Sequence, residues 1–201
     1  MAGGHISDAV VKDHQEILAC YNRIVSSTDR DEQVRFQNLF TWDLARLLVA
    51  EELVVYPALE KHLPEGAAMA EKNRKAHQTV SLFTMKWTSR LMDYQVKEEL
   101  KTFQNLDPSN DSFIPAIQAL MKDMSQHVQD EETNDLLQLE SVLTDDQSDH
   151  LRKSFNRTKI FMPSRAHPHA PNKPPFETAV GLLTAPFDQL GDLLRKWPQH
   201  A

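Results

Sequence analysis

The chain has 201 residues, 40% hydrophobic and 25% charged, with five glycines, one cysteine and a formal net charge of −7. That length suits one well-cored domain plus an extension rather than two full domains, and the lone Cys20 excludes an internal disulfide and fits a reducing compartment. Charges of both signs are mixed throughout with no basic stripe, which argues against a nucleic-acid partner.

Residues Met1 to His14 are polar and lack the apolar core of an export signal, and no apolar run approaches the length that spans a bilayer. The expected location is therefore cytoplasmic or nuclear, without secretion and without membrane contact. Scarce glycine and apolar residues at helical spacing predict an all-α fold. Helix 1 is expected from about Ser7 to Val25, with Ser7 or Asp8 as N-cap and a stripe of Val10, His14, Ile17, Leu18, Tyr21 and Ile24. Helix 2 spans about Arg30 to Leu63 with Phe36, Phe40, Leu44, Leu47, Glu51, Val55 and Ala58 on one face. Pro57 should kink or end it, because proline removes a backbone donor.

Helix 3 follows the Pro64-Glu65-Gly66 turn and aligns Met69, Asn73 and His77. After a loop over Leu106–Asp111, helix 4 covers about Phe113 to Leu143, with Phe113, Ile117, Leu120, Met124, His127 and Glu131 in line. Thr144-Asp145-Asp146-Gln147 has capping-box form and starts a short fifth helix through about Arg157. Seven of the eleven prolines lie from Pro163 onward. Residues 161–201 accordingly read as a Pro/His-rich arm ending in an amphipathic helix that carries Leu182, Leu190, Leu194 and Trp197 and serves as a lid or interface element.

His14, Glu51, His77, His127 and Glu131 all fall on these apolar stripes. Each alone reads equally well as a hydrogen-bonded core group. Buried without partners, each would cost roughly 2–7 kcal/mol, so five together call for a common explanation. Imidazole and carboxylate donors suit iron, manganese or zinc, and carboxylates that bridge favour a pair of ions. Four helices each aiming such a ligand inward is the arrangement that holds a metal pair inside a bundle. His127 and Glu131, at i and i+4, share a helix face and can reach one centre. Within the Glu51-Glu52 and Glu131-Glu132 doublets, stripe phase selects the first of each. His5, His62, His150 and His200 lie near element ends and read as solvated.

These residues resemble the hemerythrin-like, or HHE cation-binding, domain family. The likeness runs from Asp8 to about Pro198 through Val11-Lys12-Asp13-His14, Ala50 to His62, Ala76-His77-Gln78 and His127-Val128-Gln129-Asp130-Glu131-Glu132, in that order. The tail from His167-Pro168 to Thr178 is similar to that of eukaryotic single-domain members. The resemblance implies an antiparallel four-helix bundle around a non-haem di-iron site. His77 and His127 would ligate one iron, His14 the other, and Glu51 and Glu131 would bridge them. It also implies dioxygen, another small diatomic molecule or an oxidant as the partner.

Two departures stand out. The family carries His four residues before the helix-2 glutamate, and here Leu47 occupies that place, so the ion served by His14 loses an imidazole. Glu52 is the accessory candidate for the gap, although it points about 100° round a regular helix from Glu51. Second, the family's pattern after the helix-3 His is interrupted by Val80 to Gln95 and resumes at Val96-Lys97-Glu98-Glu99-Leu100. Sixteen helical residues turn the face by about 160°, so Val96, Leu100 and Phe103 would point away from the stripe set by His77. We read residues 80–95 as a translated retained intron, since Val-Ser can be encoded by a donor-like GTGAGT and Gln by an acceptor-like CAG. A genuine insertion that loops out or lengthens the helix is the alternative.

Residues 1–160 are thus expected to form a hemerythrin-like bundle whose leading function is non-haem di-iron binding linked to dioxygen, iron or redox signals. A non-haem iron oxidoreductase or oxygenase acting on a small molecule is the runner-up, with an open coordination position at Leu47. A structural module with a degraded metal site is the third reading.

Overall fold

The computed structural model describes residues 4–78, 95–161 and 195–198, excluding the side chains of residues 77, 78, 95–98 and 161. The described residues are helical or irregular, with no strand among them. In order they form α1 (Ile6–Ser26), α2 (Arg30–Ala50), a π-helical turn (Glu51–Val55), α3 (Tyr56–His62), α4 (Gly66–Gln78), α5 (Gln95–Phe103), α6 (Phe113–Asp130), a second π turn (Glu131–Asp135), α7 (Leu136–Val142) and α8 (Asp145–Phe161). None of these helices is long and apolar enough to cross a membrane. The rods α2–π–α3 and α6–π–α7 are each continuous. With α1 and the α4/α5 layer they make the expected helical bundle, and α8 packs across α1 and α2.

Local chemistry sets the helix ends. A three-residue link, Ser27 to Asp29, folds α2 back along α1. The Asp29 carboxylate caps α2 by accepting from the Asp31 N–H at 2.9 Å. The first N–H groups of α1 are satisfied from the far end of the chain: Ile6 N–H donates to Ser148 Oγ and Ser7 N–H to the Glu140 carboxylate. Helix α1 therefore begins at Ile6 with His5 as its N-cap, two or three residues earlier than Ser7 or Asp8 would place it. The Thr144/Gln147 capping box forms as expected, and α8 runs on to Phe161 rather than stopping near Arg157. Gly66 is needed at the α3–α4 turn, because a Cβ there would lie 1.8 Å from the Leu59 carbonyl oxygen.

The core is built from Ile6, Val10, Ile17 and Ile24 of α1, Phe40, Leu44 and Leu47 of α2, and Phe113, Ile117 and Leu120 of α6. Phe40, Phe103 and Phe113 stack in sequence, with ring centroids 5.8 and 5.1 Å apart. On α1 the buried face takes Cys20, while Leu18 is 47% exposed, so the stripe is narrower than the apolar residues suggest.

Three expectations need correction. Pro57 does not end its rod: the regular helix gives way to the π turn at Glu51–Val55 just before it, and Pro57 sits in the first turn of α3, which continues to His62. Leu100 and Phe103 do not turn away from the bundle. Both are fully buried in the same core as the other rods. Residues 79–94 lie outside the described ones, as does most of the arm at 161–201. Of the last helix, only residues 195–198 are described. They are irregular, because Pro198 disfavours helical backbone at Trp197. Their carbonyls accept from Arg35 and Asn38, and Trp197 meets Trp42 edge-on at 6.2 Å, pinning the tail to α2.

Candidate metal centre

The two π turns create the centre. In each, the N–H of the sixth residue bonds the carbonyl of the first, Tyr56 to Glu51 and Leu136 to Glu131, so one extra residue is fitted into the turn. Each turn opens on a Glu-Glu doublet. Only the first is followed by a proline, so Pro57 is not their common cause. Inserting a residue changes the local phase, and three of the four doublet glutamates are buried. Glu51, Glu52 and Glu131 are all at or below 1% exposure, so the accessory candidate Glu52 is as buried as Glu51 despite the step of about 100° between them on a regular helix.

His14 projects from α1 into the space between the turns. Its Nε2 lies 3.5 Å from Glu51 Oε1 and 3.5 Å from Glu131 Oε2, and His127 Nε2 lies 3.8 Å from the same Glu131 oxygen. One donor atom from each of His14, Glu51 and Glu131 can be chosen so that all lie within 4.8 Å of one another. His14 Nε2 and both Glu131 oxygens are buried and make no hydrogen bond of normal geometry. Buried polar atoms are nearly always hydrogen-bonded, so a cluster of exceptions aimed at one point needs a reason. A cation between them supplies it: neutral imidazole and carboxylate are the donor set for iron, manganese or zinc.

The electrostatics agree. Burial and then the Glu51 charge hold the Glu131 carboxyl well above the usual carboxylate range. Burial alone would lower His14, but the close approach and charge of Glu51, aided by Glu131 and Glu132, outweigh it and hold the imidazole up at about 9. A proton on His14 thus partly offsets carboxylate charge in the metal-free protein.

Four of the five ligand candidates are placed by these contacts: His14, Glu51, His127 and Glu131 come together. His77 lies in α4, but its side chain is outside the described residues. Leu47, in place of a family imidazole, is fully buried in the apolar core. Around the centre stand residues that stripe reading did not select. Glu132 Oε1 lies 2.8 Å from His14 Nδ1. Asp135, buried one turn beyond Glu131, accepts from Asn73 Nδ2 at 2.7 Å and so ties α4 to the second π turn. Tyr56 is buried beside the carboxylates, which with desolvation push its phenol well above its ordinary value, and the Arg74 guanidinium lies 5.7 Å from its ring. The signal for most of them was the doubled glutamate and the residue one turn further on.

The family model described as the Hemerythrin HHE cation binding domain matches residues 5–139, a span that holds α1 to α6, the second π turn, the first half of α7 and every candidate ligand. The chain belongs to the hemerythrin family. It is also 45% identical over 194 residues to an uncharacterised hemerythrin-like protein of Schizosaccharomyces pombe, an alignment covering 96% of this chain and 88% of that relative. No solved structure matches. The hemerythrin assignment and the buried His/Glu cluster together point to cation binding at this centre.

Proposed function

We propose that this hemerythrin-like bundle is a non-haem iron protein. It binds two ions through His14, Glu51, His77, His127 and Glu131 and handles dioxygen, iron or redox signals with them. The convergence of His14 Nε2 and the Glu131 carboxyl, both buried without a hydrogen bond, on Glu51 carries the reading. Bound iron would supply reversible oxygen binding or one-electron chemistry. The chain's own part is to keep the ligands dry, hold them on rigid rods and balance their charge. Manganese and zinc fit the same donors, and iron is preferred because two carboxylates and several imidazoles suit a redox pair.

Metal analysis of protein purified without added metal tests this, together with iron(II) titration of the stripped protein. The expected result is up to two irons per chain and a melting temperature that rises with iron. Stripped protein whose melting is unchanged by iron, manganese and zinc would overturn the reading and leave a structural role.

A second reading, an oxidoreductase or oxygenase acting on a small molecule, draws on two observations. Leu47 removes an imidazole from the His14 side, and an apolar cavity of about 340 Å³, lined by Ile17, Leu18, Met121, Met124 and Val128, abuts His14. Repeated turnover of an organic substrate with a reductant supports it, whereas stoichiometric, reversible oxygen uptake counts against it.

A further inference from the structure

Glu132 is adjacent to the bridging candidate Glu131, yet it does a different job. Its Oε1 lies 2.8 Å from His14 Nδ1, whereas Glu131 Oε2 lies 3.5 Å from Nε2 of the same ring. Consecutive residues of one rod therefore address both nitrogens of one imidazole from another. Consecutive side chains of a regular helix diverge by about 100°, and the π turn that begins at Glu131 alters that geometry locally. The His14 side chain is 3% exposed and that of Glu132 is 32% exposed, so the carboxylate spans from the buried ring to the surface. Ile17, Met124 and Val128 line the apolar cavity beside the pair.

We propose that Glu132 is the positioning residue of the centre. It accepts a hydrogen bond from His14 Nδ1–H and so fixes the tautomer and ring orientation in which Nε2 presents its lone pair to a cation between Glu51 and Glu131. Glu132 is not itself a ligand, because its bonded oxygen lies on the opposite edge of the ring from the other two carboxylates. With Leu47 in place of an imidazole, His14 is the one histidine that the family resemblance assigns to its ion. Its alignment then carries more of the affinity than in a site with two imidazoles. A carboxylate behind a ligating histidine typically contributes 10–100-fold in metal affinity.

The inference rests on the metal-binding reading, and the test separates the two. Zinc affinity is measured by competition with a chromophoric chelator for wild type, Glu132→Ala and Glu132→Gln. Long-range nitrogen–proton NMR spectra of the zinc-loaded proteins report the His14 tautomer. Glu132→Ala should lower affinity 10–100-fold and disturb the His14 signals, with the helical circular dichroism unchanged. Glu132→Gln, whose amide oxygen still accepts from Nδ1–H, should recover most of the loss and keep the wild-type tautomer. Wild-type affinity in Glu132→Ala would overturn the proposal, as would a Gln variant as weak as the Ala variant, since that makes charge rather than position the contribution. Should the Ala variant fail to fold, Gln alone decides, because affinity and tautomer must both stay near wild type. Wild-type protein that binds no zinc defeats the underlying metal reading instead.

Discussion

Asp13 and His14 are neighbours on α1, but their side chains leave the helix on different faces and enter two different polar clusters. On one side His14 meets Glu51 and Glu131 in the dry interior. On the other, Asp13 faces a cleft of about 470 Å³ between α1, α2 and α8, lined also by Glu16, Asp43, Arg46, Arg152 and Lys159. Both clusters draw carboxylates out of water. The outer one brings its own permanent cations: Lys159 pairs with Asp13, and the Arg46 guanidinium stacks on Trp42 at 3.9 Å while its charge opposes that of Asp43. In the inner one, the ion pairs of Glu131 are with imidazoles, those of His14 and His127, and the nearby Arg74 guanidinium pairs with Glu60 instead. Imidazole gives up its proton to bind a metal, whereas lysine and arginine hold theirs. The contrast identifies which of two acidic clusters is built to receive a cation from outside.

The sharpest way to break this comparison is Glu131→Gln. Losing a carboxylate shared by two imidazoles should weaken iron or zinc binding at least about 100-fold, beyond what an outer-shell residue contributes. The same change should stabilise the metal-free protein at neutral pH. The inner centre buries Glu51, Glu52 and Glu131 around one raised imidazole, and an amide at position 131 removes part of the excess charge. A gain of about 1 kcal/mol, or roughly 2–4 °C in melting temperature, is expected. Chelator competition and a thermal scan of stripped protein read the two effects. A variant that both binds metal normally and melts lower would place Glu131 in an ordinary salt bridge.

The pH dependence of the stripped protein gives the next largest effect. His14 is held at about 9 in the fold, above its ordinary 6.5. Its contribution is therefore fully present below about pH 6.5 and is lost as pH rises through 9. The Glu131 shift acts in the same sense, since burying an ionised carboxylate is the costly state. Stripped protein should lose about 1–3 kcal/mol between pH 6.5 and 9, measured by urea unfolding, and a His14→Gln variant should show a flatter profile. Metal-loaded protein should reverse the trend, because binding displaces the His14 proton.

Leu47→His sharpens the comparison from the other direction by adding an imidazole to the inner centre. Leu47 is fully buried, so the stripped variant should lose about 2 kcal/mol from a poorly satisfied polar ring. Iron should restore that loss, and iron occupancy after purification should rise above wild type. Unchanged occupancy with unrecovered stability would show that position 47 does not face the centre.

The helical stripes made most of this legible. Hydrophobic period alone located α1, α2, α6 and their inward His and Glu residues, because burying an apolar face is what fixes a helix in a bundle. What it missed at the inner centre has a single cause. Stripe phase assumes 3.6 residues per turn, and both π turns break that rule at the glutamates. Stripe phase thus ranks Glu52 and Glu132 behind their neighbours, although Glu52 is fully buried and Glu132 grips His14. The outer cluster was equally hidden, since Asp13, Asp43 and Lys159 come from three helices and none lies on an apolar stripe. The neutralising role of Lys159 depends on α8 crossing α1, a tertiary fact that periodicity does not encode.

The outer cluster supplies the smallest test, and it should behave as a purely structural one. Burial first, and then the charges of Glu16 and Asp13, push the Asp43 carboxyl up to about 7 despite Arg46 and Lys159. A raised carboxyl pKa means that stability is greatest when Asp43 is protonated and falls as pH rises from about 4 through 7. Asp43→Asn removes that loss while keeping the side chain's shape. Allowing for water that reaches the carboxyl through the cleft, the variant should be about 1–2 kcal/mol more stable than wild type at pH 8. The advantage should shrink at pH 5, where the wild-type group already carries its proton. Urea midpoints at the two pH values measure this. Metal affinity should be the same in both proteins, and a loss of affinity in Asp43→Asn would show that the two faces of α1 are one coupled site rather than two.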